Sequence, residues 1–266
     1  MSIPPKKSLG QNFLVDDGVA DDIVTAASVG SDDHVVEIGP GLGVLTARLA
    51  GAVSRVTAVE IDPRLVKKLR HELRLSDSVE VVEADALKFD FAGIGGPVKV
   101  VANLPYYIST PIISRLVDAR ATVRTAVLML QKEVAERITA DPGGKDYGYL
   151  SVMVQVYMKA EYLFTVPNTA FDPVPKVDSA VVRLSALDAP AAPCKDYRYF
   201  ERVVSAAFSQ RRKTLRNTLK SSRVAPVEAV ERISECGIDP VRRAETLSVA
   251  EFAALTDFLF EFVENQ

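Results

Sequence analysis

The chain has 266 residues, 48% of them hydrophobic and 25% charged, with a formal net charge of −3. That length accommodates one large domain, or one domain with a small appendage, and the composition excludes disordered, collagenous and fibrous chains. Cys194, Cys236, His34 and His71 lack the spacing of a zinc or redox motif, so no metal is expected and a reduced, cytoplasmic chain is the natural reading.

The longest uncharged run, residues 100–114, is broken by Pro105 and Pro111 and is too short to span a bilayer. Residues 1–11 hold no apolar run of signal-peptide type. Neither membrane insertion nor secretion is expected. From the N-terminus onward, β-branched runs at residues 35–38, 55–59, 79–82, 98–102 and 123–130 predict strands. Helical spacing lies between them at residues 42–50 and 65–73, the second opened by Asp62 as N-cap and Pro63 at the first helical position. Strands alternating with helices predict an α/β domain with a parallel sheet. Two further strands, at residues 162–166 and 180–185, flank a Pro-rich connection and predict a hairpin-like pair closing the sheet. Residues 187–194, with Pro190 and Pro193, read as a linker. Beyond it the period is helical, ending in a capping box at Ser248 and Glu251 that opens an amphipathic helix through Phe252, Leu255, Leu259 and Phe262. The expected division is therefore an α/β domain over residues 1–187 and a small all-helical C-terminal domain over 188–266.

The strand ends carry the chemistry. After the first comes Glu37-Ile-Gly39-Pro-Gly41-Leu-Gly43, a glycine turn that lets backbone approach a ligand at the carboxyl end of a sheet. A dinucleotide fingerprint would place its third glycine where Val44 stands. The G-x-G-x-G spacing resembles the turn of class I (Rossmann-like) methyltransferases that bind S-adenosylmethionine. Glu60 ends the second strand, where a carboxylate can accept from both ribose hydroxyls, and Asp85 follows the third, where it can accept from an exocyclic amine.

The fourth strand ends in Asn103-Leu-Pro105-Tyr106. An aryl amine is a poor nucleophile because its lone pair is delocalised into the ring. The Asn103 amide oxygen and the Pro105 carbonyl are candidate acceptors that would pyramidalise such a nitrogen, with Tyr106 stacking on the base. Downstream, Phe171-Asp-Pro173-Val-Pro175-Lys-Val-Asp178-Ser179 predicts a stiff loop presenting an exposed Phe171 as a second stacking surface for an extruded base.

Charge is uneven along the chain. Between residues 195 and 225 nine basic residues oppose two acidic ones, a local balance of +7 that leaves −10 for the remainder. Such asymmetry fits a polyanion partner, and equally a solvated helix face. Arg211, Arg212, Lys213 and Arg216 are the densest part, and helical spacing would put Arg212 and Arg216 on one face.

Four segments together, Lys7-Ser-Leu-Gly-Gln11-Asn12-Phe13-Leu14, the glycine turn, Asn103-Leu-Pro-Tyr106-Tyr-Ile-Ser-Thr110 and Phe171 to Ser179, resemble the KsgA-type ribosomal RNA adenine dimethyltransferases. The likeness extends over nearly the whole chain, including Phe208-Ser-Gln-Arg211-Arg212-Lys213-Thr-Leu-Arg216-Asn217. It implies dimethylation of N6 on two adjacent adenosines near the 3′ end of small-subunit ribosomal RNA. S-adenosylmethionine would be the donor and an immature small ribosomal subunit the substrate, engaged by a monomer without a membrane. Carried over by position, cofactor contacts come from Asn12, Leu14, Gly39, Gly41, Glu60, Asp85 and Asn103. The charge pattern makes Lys6, Lys7, Arg211, Arg212, Lys213 and Arg216 the candidate RNA contacts. Two alternatives share the fold: a resistance-type methyltransferase of large-subunit RNA, and a non-catalytic nucleic-acid-binding assembly factor.

Overall fold

A computed structural model describes residues 3–72 and 77–264. In chain order it contains β1 (Phe13–Leu14), α1 (Asp17–Ala27), β2 (His34–Ile38), α2 (Val44–Ala52), β3 (Arg55–Glu60), α3 (Pro63–Glu72), β4 (Val79–Glu83), β5 (Val98–Asn103) and α4 (Ser109–Asp118). Then follow β6 (Val123–Gln131), α5 (Lys132–Thr139), α6 (Tyr149–Gln155), β7 (Met158–Val166), β8 (Phe171–Asp172) and β9 (Ser179–Ala186). The last helices are α7 (Tyr197–Phe208), α8 (Leu215–Ser222), α9 (Val227–Glu231) and α10 (Val249–Glu264).

Each of the five β-branched runs is a strand, extended by one residue at one end. Helix boundaries moved more. The helix expected at 42–50 begins at Val44, because Gly43 adopts a left-handed φ of +90° that α-helix cannot continue through. In α3, Asp62 Oδ1 accepts the Arg64 N–H at 3.1 Å and the helix starts at Pro63, the first helical position that the sequence predicts. The predicted end of that helix, Leu73, lies outside the described residues.

The main sheet has seven strands in the order β4-β3-β2-β5-β6-β9-β7. From β4 through β6 neighbouring strands run parallel, and β9 pairs antiparallel with β6. Val35, Val36 and Ile38 of β2 and Val100, Val101 and Ala102 of β5 are all buried. A strand covered on both faces needs such a run, whereas a half-exposed strand would alternate. A second ladder, two residues long, pairs β1 with β8 antiparallel.

The chain divides into two compact units, residues 1–135 with 159–186, and residues 136–158 with 187–266. The first carries the sheet. The second is helical, and it includes residues 136–158, which the sequence reading had given to the α/β domain. Tyr147, Val152 and Val156 from that stretch share a core with Phe200, Val203 and Leu255. Nor are residues 187–194 a loose linker: the Leu187 N–H donates to the Tyr157 carbonyl at 3.0 Å, the Ala191 N–H donates to Val156 at 2.8 Å, and Ala192 is buried. At α10 the Ser248 N–H donates to Glu251 at 2.8 Å while the Glu251 N–H donates to Ser248 Oγ at 3.2 Å, a reciprocal capping box. Phe252, Leu255 and Leu259 are buried along that helix, each such side chain contributing about 1.5–3 kcal/mol.

Candidate active site

Strand order reverses between β2 and β5: β3 and β4 continue outward from β2 on one side, β5 and β6 on the other. A reversal of this kind leaves a crevice outside the carboxyl ends of the strands. A cavity lies there, lined by the ends of β2, β3 and β5, the residues after β4, and the N-terminal segment.

The glycine turn linking β2 to α2 forms one wall. Gly41 has φ +59°, its N–H donates to Glu60 Oε2 at 3.2 Å, and a Cβ there would come within 3.3 Å of the Phe13 ring. A Cβ on Gly43 would lie 2.9 Å from Leu69, closer than packed carbons come. Left-handed backbone and close neighbours therefore favour glycine at both positions. Glu60, buried, also accepts the Asp62 N–H at 2.8 Å; burial pushes its pKa up, and the backbone donors oppose that rise. Asp85 accepts the Leu87 N–H on Oδ1 at 2.9 Å and lines the same cavity. Glu37, to which the sequence assigns no role, is the penultimate residue of β2 and is buried with Oε2 unpartnered among the described residues. Burial pushes its pKa up to about 8. Its only sequence signal was its place at the head of the glycine turn.

The other wall is a strap formed by the N-terminal residues. Asn12 and Leu14 line the cavity, and β1 fixes their height by pairing Leu14 with Phe171 and Phe13 with Asp172. The strap is tied at a second point. Asp62, with no exposed surface, accepts from Lys6 Nζ at 3.0 Å, Gln11 Nε2 at 3.2 Å and Arg64 Nη2 at 2.7 Å. Arg64 Nη1 reaches on to the Pro4 carbonyl at 3.3 Å. The Arg64 guanidinium, helped by Lys6 and Gln11 against the opposing effect of burial, holds the Asp62 carboxyl well below the usual carboxylate range. The Lys6 ammonium, expected to meet RNA, is engaged in this cluster; Lys7 is exposed.

At the end of β5, Asn103 Nδ2 donates to the Asn12 carbonyl at 3.5 Å, and Oδ1 has no partner among the described residues. The Pro105 carbonyl, read from sequence as free, is occupied. It accepts the Ile108 N–H at 3.1 Å and Ser109 Oγ at 3.4 Å, because a 3-10 turn at Tyr106–Ile108 folds back onto it. The Leu104 carbonyl carries no hydrogen bond among the described residues, while the Leu104 N–H is fixed by Met129 at 3.1 Å. Tyr106 is half-buried and shares a 3.0 Å hydrogen bond with Ser179 Oγ; burial raises its hydroxyl pKa. Phe171 is 3% exposed, contrary to the expected exposed loop, because β8 pairs with β1 and draws the ring into a cluster with Leu14 and Leu45. It still lines the cavity.

The basic candidates of the helical unit are arranged differently from their predicted helical face. Arg211, Arg212 and Lys213 sit, exposed, in a turn between α7 and α8, where the Lys213 N–H donates to the Gln210 carbonyl at 3.0 Å. Helix α7 stops at Phe208 and α8 starts at Leu215, so Arg212 and Arg216 share no helix. Arg216 lies 3.6 Å from the Glu231 carboxylate, and Arg211 donates to the Lys145 carbonyl.

Comparison with known proteins adds an independent observation. A family model described as ribosomal RNA adenine dimethylase matches residues 4–261. The chain is 48% identical over 263 residues to the ribosomal RNA small subunit methyltransferase A of Clostridium perfringens, covering 97% of this chain and 92% of the relative. It is 47% identical to the protein of the same name from Geobacillus thermodenitrificans, covering 96% and 90%. Among solved structures, a dimethyladenosine transferase from Plasmodium falciparum superposes with a TM-score of 0.82 at 30% identity, covering 95% of this chain and 98% of that one. The 23S rRNA methyltransferase ErmE superposes with a TM-score of 0.75 at 32% identity, covering 94% and 100%.

Proposed function

Since the chain belongs to the ribosomal RNA adenine dimethylase family, we propose that it transfers methyl groups from S-adenosylmethionine to N6 of two adjacent adenosines near the 3′ end of small-subunit ribosomal RNA. It would do so in the cytoplasm, as a monomer acting on an immature small subunit during ribosome biogenesis. Among the described residues no helix is long and apolar enough to cross a membrane.

The observation that carries this reading is the pair of adjacent acceptors at the end of β5, Asn103 Oδ1 and the Leu104 carbonyl, neither holding a hydrogen bond among the described residues. Each can accept one N–H of an exocyclic amine. Holding both N–H bonds out of the ring plane frees the nitrogen lone pair, and acceptors set in place before reaction cost no reorganisation. Leu104 is anchored through its own N–H to β6, so its carbonyl is fixed in direction. Pro105 contributes stiffness instead of an acceptor. Tyr106 and Phe171 supply apolar walls for a base, the first oriented by Ser179 and the second by the β1–β8 ladder.

The same cavity fits the donor. Glu60 and Asp85 offer carboxylate acceptors for ribose hydroxyls and an adenine amine, Gly39 and Gly41 allow close backbone approach, and Asn12 and Leu14 cover the site from the strap. When bound, S-adenosylmethionine supplies an electrophilic methyl carbon. Family likeness to ErmE keeps large-subunit RNA as a second reading, while the small-subunit name of the relatives at 47–48% identity favours the first. Mapping methylated positions in ribosomal RNA from cells with and without the protein decides between them. Loss of two dimethyladenosines near the small-subunit 3′ end is expected. An unchanged small-subunit pattern with altered large-subunit methylation would overturn the proposal.

A further inference from the structure

The helical unit holds a shallow basin between α7, the start of α6 and the end of α8, with a volume of about 430 Å³. Ala206 and Val224, both buried, form its floor. Around it stand two guanidinium groups, Arg202 and Arg223, the hydroxyls of Ser205, Ser209 and Ser222, the Glu201 carboxylate and the Tyr149 ring. Three of the other seven cations of the +7 segment are paired with carboxylates: Lys195 with Glu261, and Lys220 and Arg216 with Glu231. Arg202 and Arg223 have no carboxylate within ion-pair distance among the described residues.

One residue preorganises both arginines. Tyr199 lies under Arg202, whose Cζ is 5.5 Å from the ring centroid, and its hydroxyl donates to the Val224 carbonyl at 2.9 Å, fixing the backbone next to Arg223. Arg223 itself is held at φ +54° as the C-cap of α8, where glycine would be the unstrained choice. In the same basin the Tyr149 hydroxyl donates to Glu201 Oε1 at 2.9 Å, leaving Oε2 as an acceptor, and Tyr149 is 37% exposed. The Gln210 amide donates to Ser221 Oγ at 3.2 Å, tying the Arg211–Lys213 turn to the end of α8 beside the basin.

We propose that this basin binds the RNA backbone, its arginines taking phosphodiester oxygens and Glu201 accepting a ribose 2′-hydroxyl. Two guanidiniums suit phosphate. A carboxylate in the same basin repels a bare anion but welcomes a hydroxyl donor, and the 2′-hydroxyl is the group that separates RNA from DNA. The exposed Tyr149 face gives a base somewhere to stack. The inference rests on the RNA-methylating reading above, and adds a docking point in the helical unit that keeps the substrate attached independently of the catalytic cavity.

The test uses the full-length protein and fluorescently labelled single-stranded oligonucleotides of one sequence in RNA and DNA form, titrated by anisotropy across a salt series. Arg202→Gln and Arg223→Gly are combined. The glycine relieves the left-handed strain, so a folded, equally or more stable variant is expected. Losing two phosphate contacts should flatten the salt slope by about 1.4, which is about 25-fold in affinity at 0.1 M salt relative to 1 M. Glu201→Gln should leave the salt slope unchanged or steeper while narrowing the RNA-over-DNA preference. S-adenosylmethionine affinity should stay as in the unmodified protein throughout. An unchanged slope in the double variant, equal binding of RNA and DNA by the unmodified protein, or a polyglutamate probe that depends on these arginines when RNA does not, would each overturn the basin's assignment. Failure of the unmodified protein to bind any RNA would instead strike the functional reading itself.

Discussion

Removing the Asp62 side chain tests whether the N-terminal strap is part of the cofactor site or only drapes over it. Asp62→Ala deletes the acceptor shared by Lys6, Gln11 and Arg64. Hydrogen bonds to charged groups contribute about 1.5–3 kcal/mol each when both partners are buried. The Lys6 and Arg64 side chains are 39% and 36% exposed and regain water when released, so a net loss of about 1–2 kcal/mol for strap attachment is the reasonable figure. If strap closure is required for binding, that loss passes into the dissociation constant as a factor of about 5–30. Titration calorimetry with S-adenosylmethionine reads it directly, and a melting curve confirms that the variant is folded, with a fall of about 2–8 °C. Asp62→Asn retains one acceptor oxygen and should fall between. Because the folded-state pKa of Asp62 is depressed, the attachment persists above the normal carboxylate range and is lost only as pH falls through the lowered value. A dissociation constant within twofold of the unmodified protein, in a folded Asp62→Ala variant, would refute the strap's role.

Three further outcomes are expected. Asn103→Ala removes one of the two acceptors at the end of β5 and should lower turnover at saturating cofactor by about 100-fold or more, as loss of a preorganised transition-state contact does; single-turnover methylation within twofold of normal would reduce the tetrapeptide to a structural turn. Glu37 binds a proton in the folded state up to about pH 8, whereas in the unfolded chain it ionises near pH 4.3, so stability should fall by up to about 1.4 kcal/mol per pH unit as pH rises between those values. Glu37→Gln should flatten that slope in melting curves recorded from pH 5 to 8, and parallel slopes would show that Glu37 is ionised when buried. Replacing Arg211, Arg212 and Lys213 with Gln should weaken binding to immature small subunits and flatten the salt slope by about 0.7–0.9 per lost phosphate contact, with cofactor affinity as the unchanged control.

The parallel sheet was legible in the sequence because strands buried on both faces must be continuous apolar runs, and β2, β3, β5 and β6 are such runs. The turn after β2 was legible for a related reason: left-handed backbone favours glycine, and Gly41 and Gly43 sit at φ +59° and +90° with little or no space for a Cβ. What escaped depends on partners distant in the chain. Phe171 is buried by pairing with Leu14 from the opposite end of the α/β unit, and nothing near Phe171 announces that ladder. The choice between the Leu104 and Pro105 carbonyls turns on a 3-10 hydrogen bond, which side-chain identity does not encode. Asp62 read as an N-cap, which it is, but its second duty toward Lys6 and Gln11 needs the tertiary fold. The turn at Arg211–Lys213 was mistaken for helix because a run of cations has no apolar period to break.

The β1–β8 ladder also sets a clock on the newborn protein. The glycine turn and the end of β5 leave the ribosome well before Phe171 and Asp172 do, yet Phe13 and Leu14 have no ladder partner until those two residues emerge. The ladder therefore stays open through most of the synthesis of the α/β unit, while the tie of Lys6 and Gln11 to Asp62 needs only residues made much earlier. A nascent chain assembled in this order holds its N-terminal strap first at Asp62 alone, and gains the second anchor, at Phe171 and Asp172, only after the main-sheet strands up to β7 have been made.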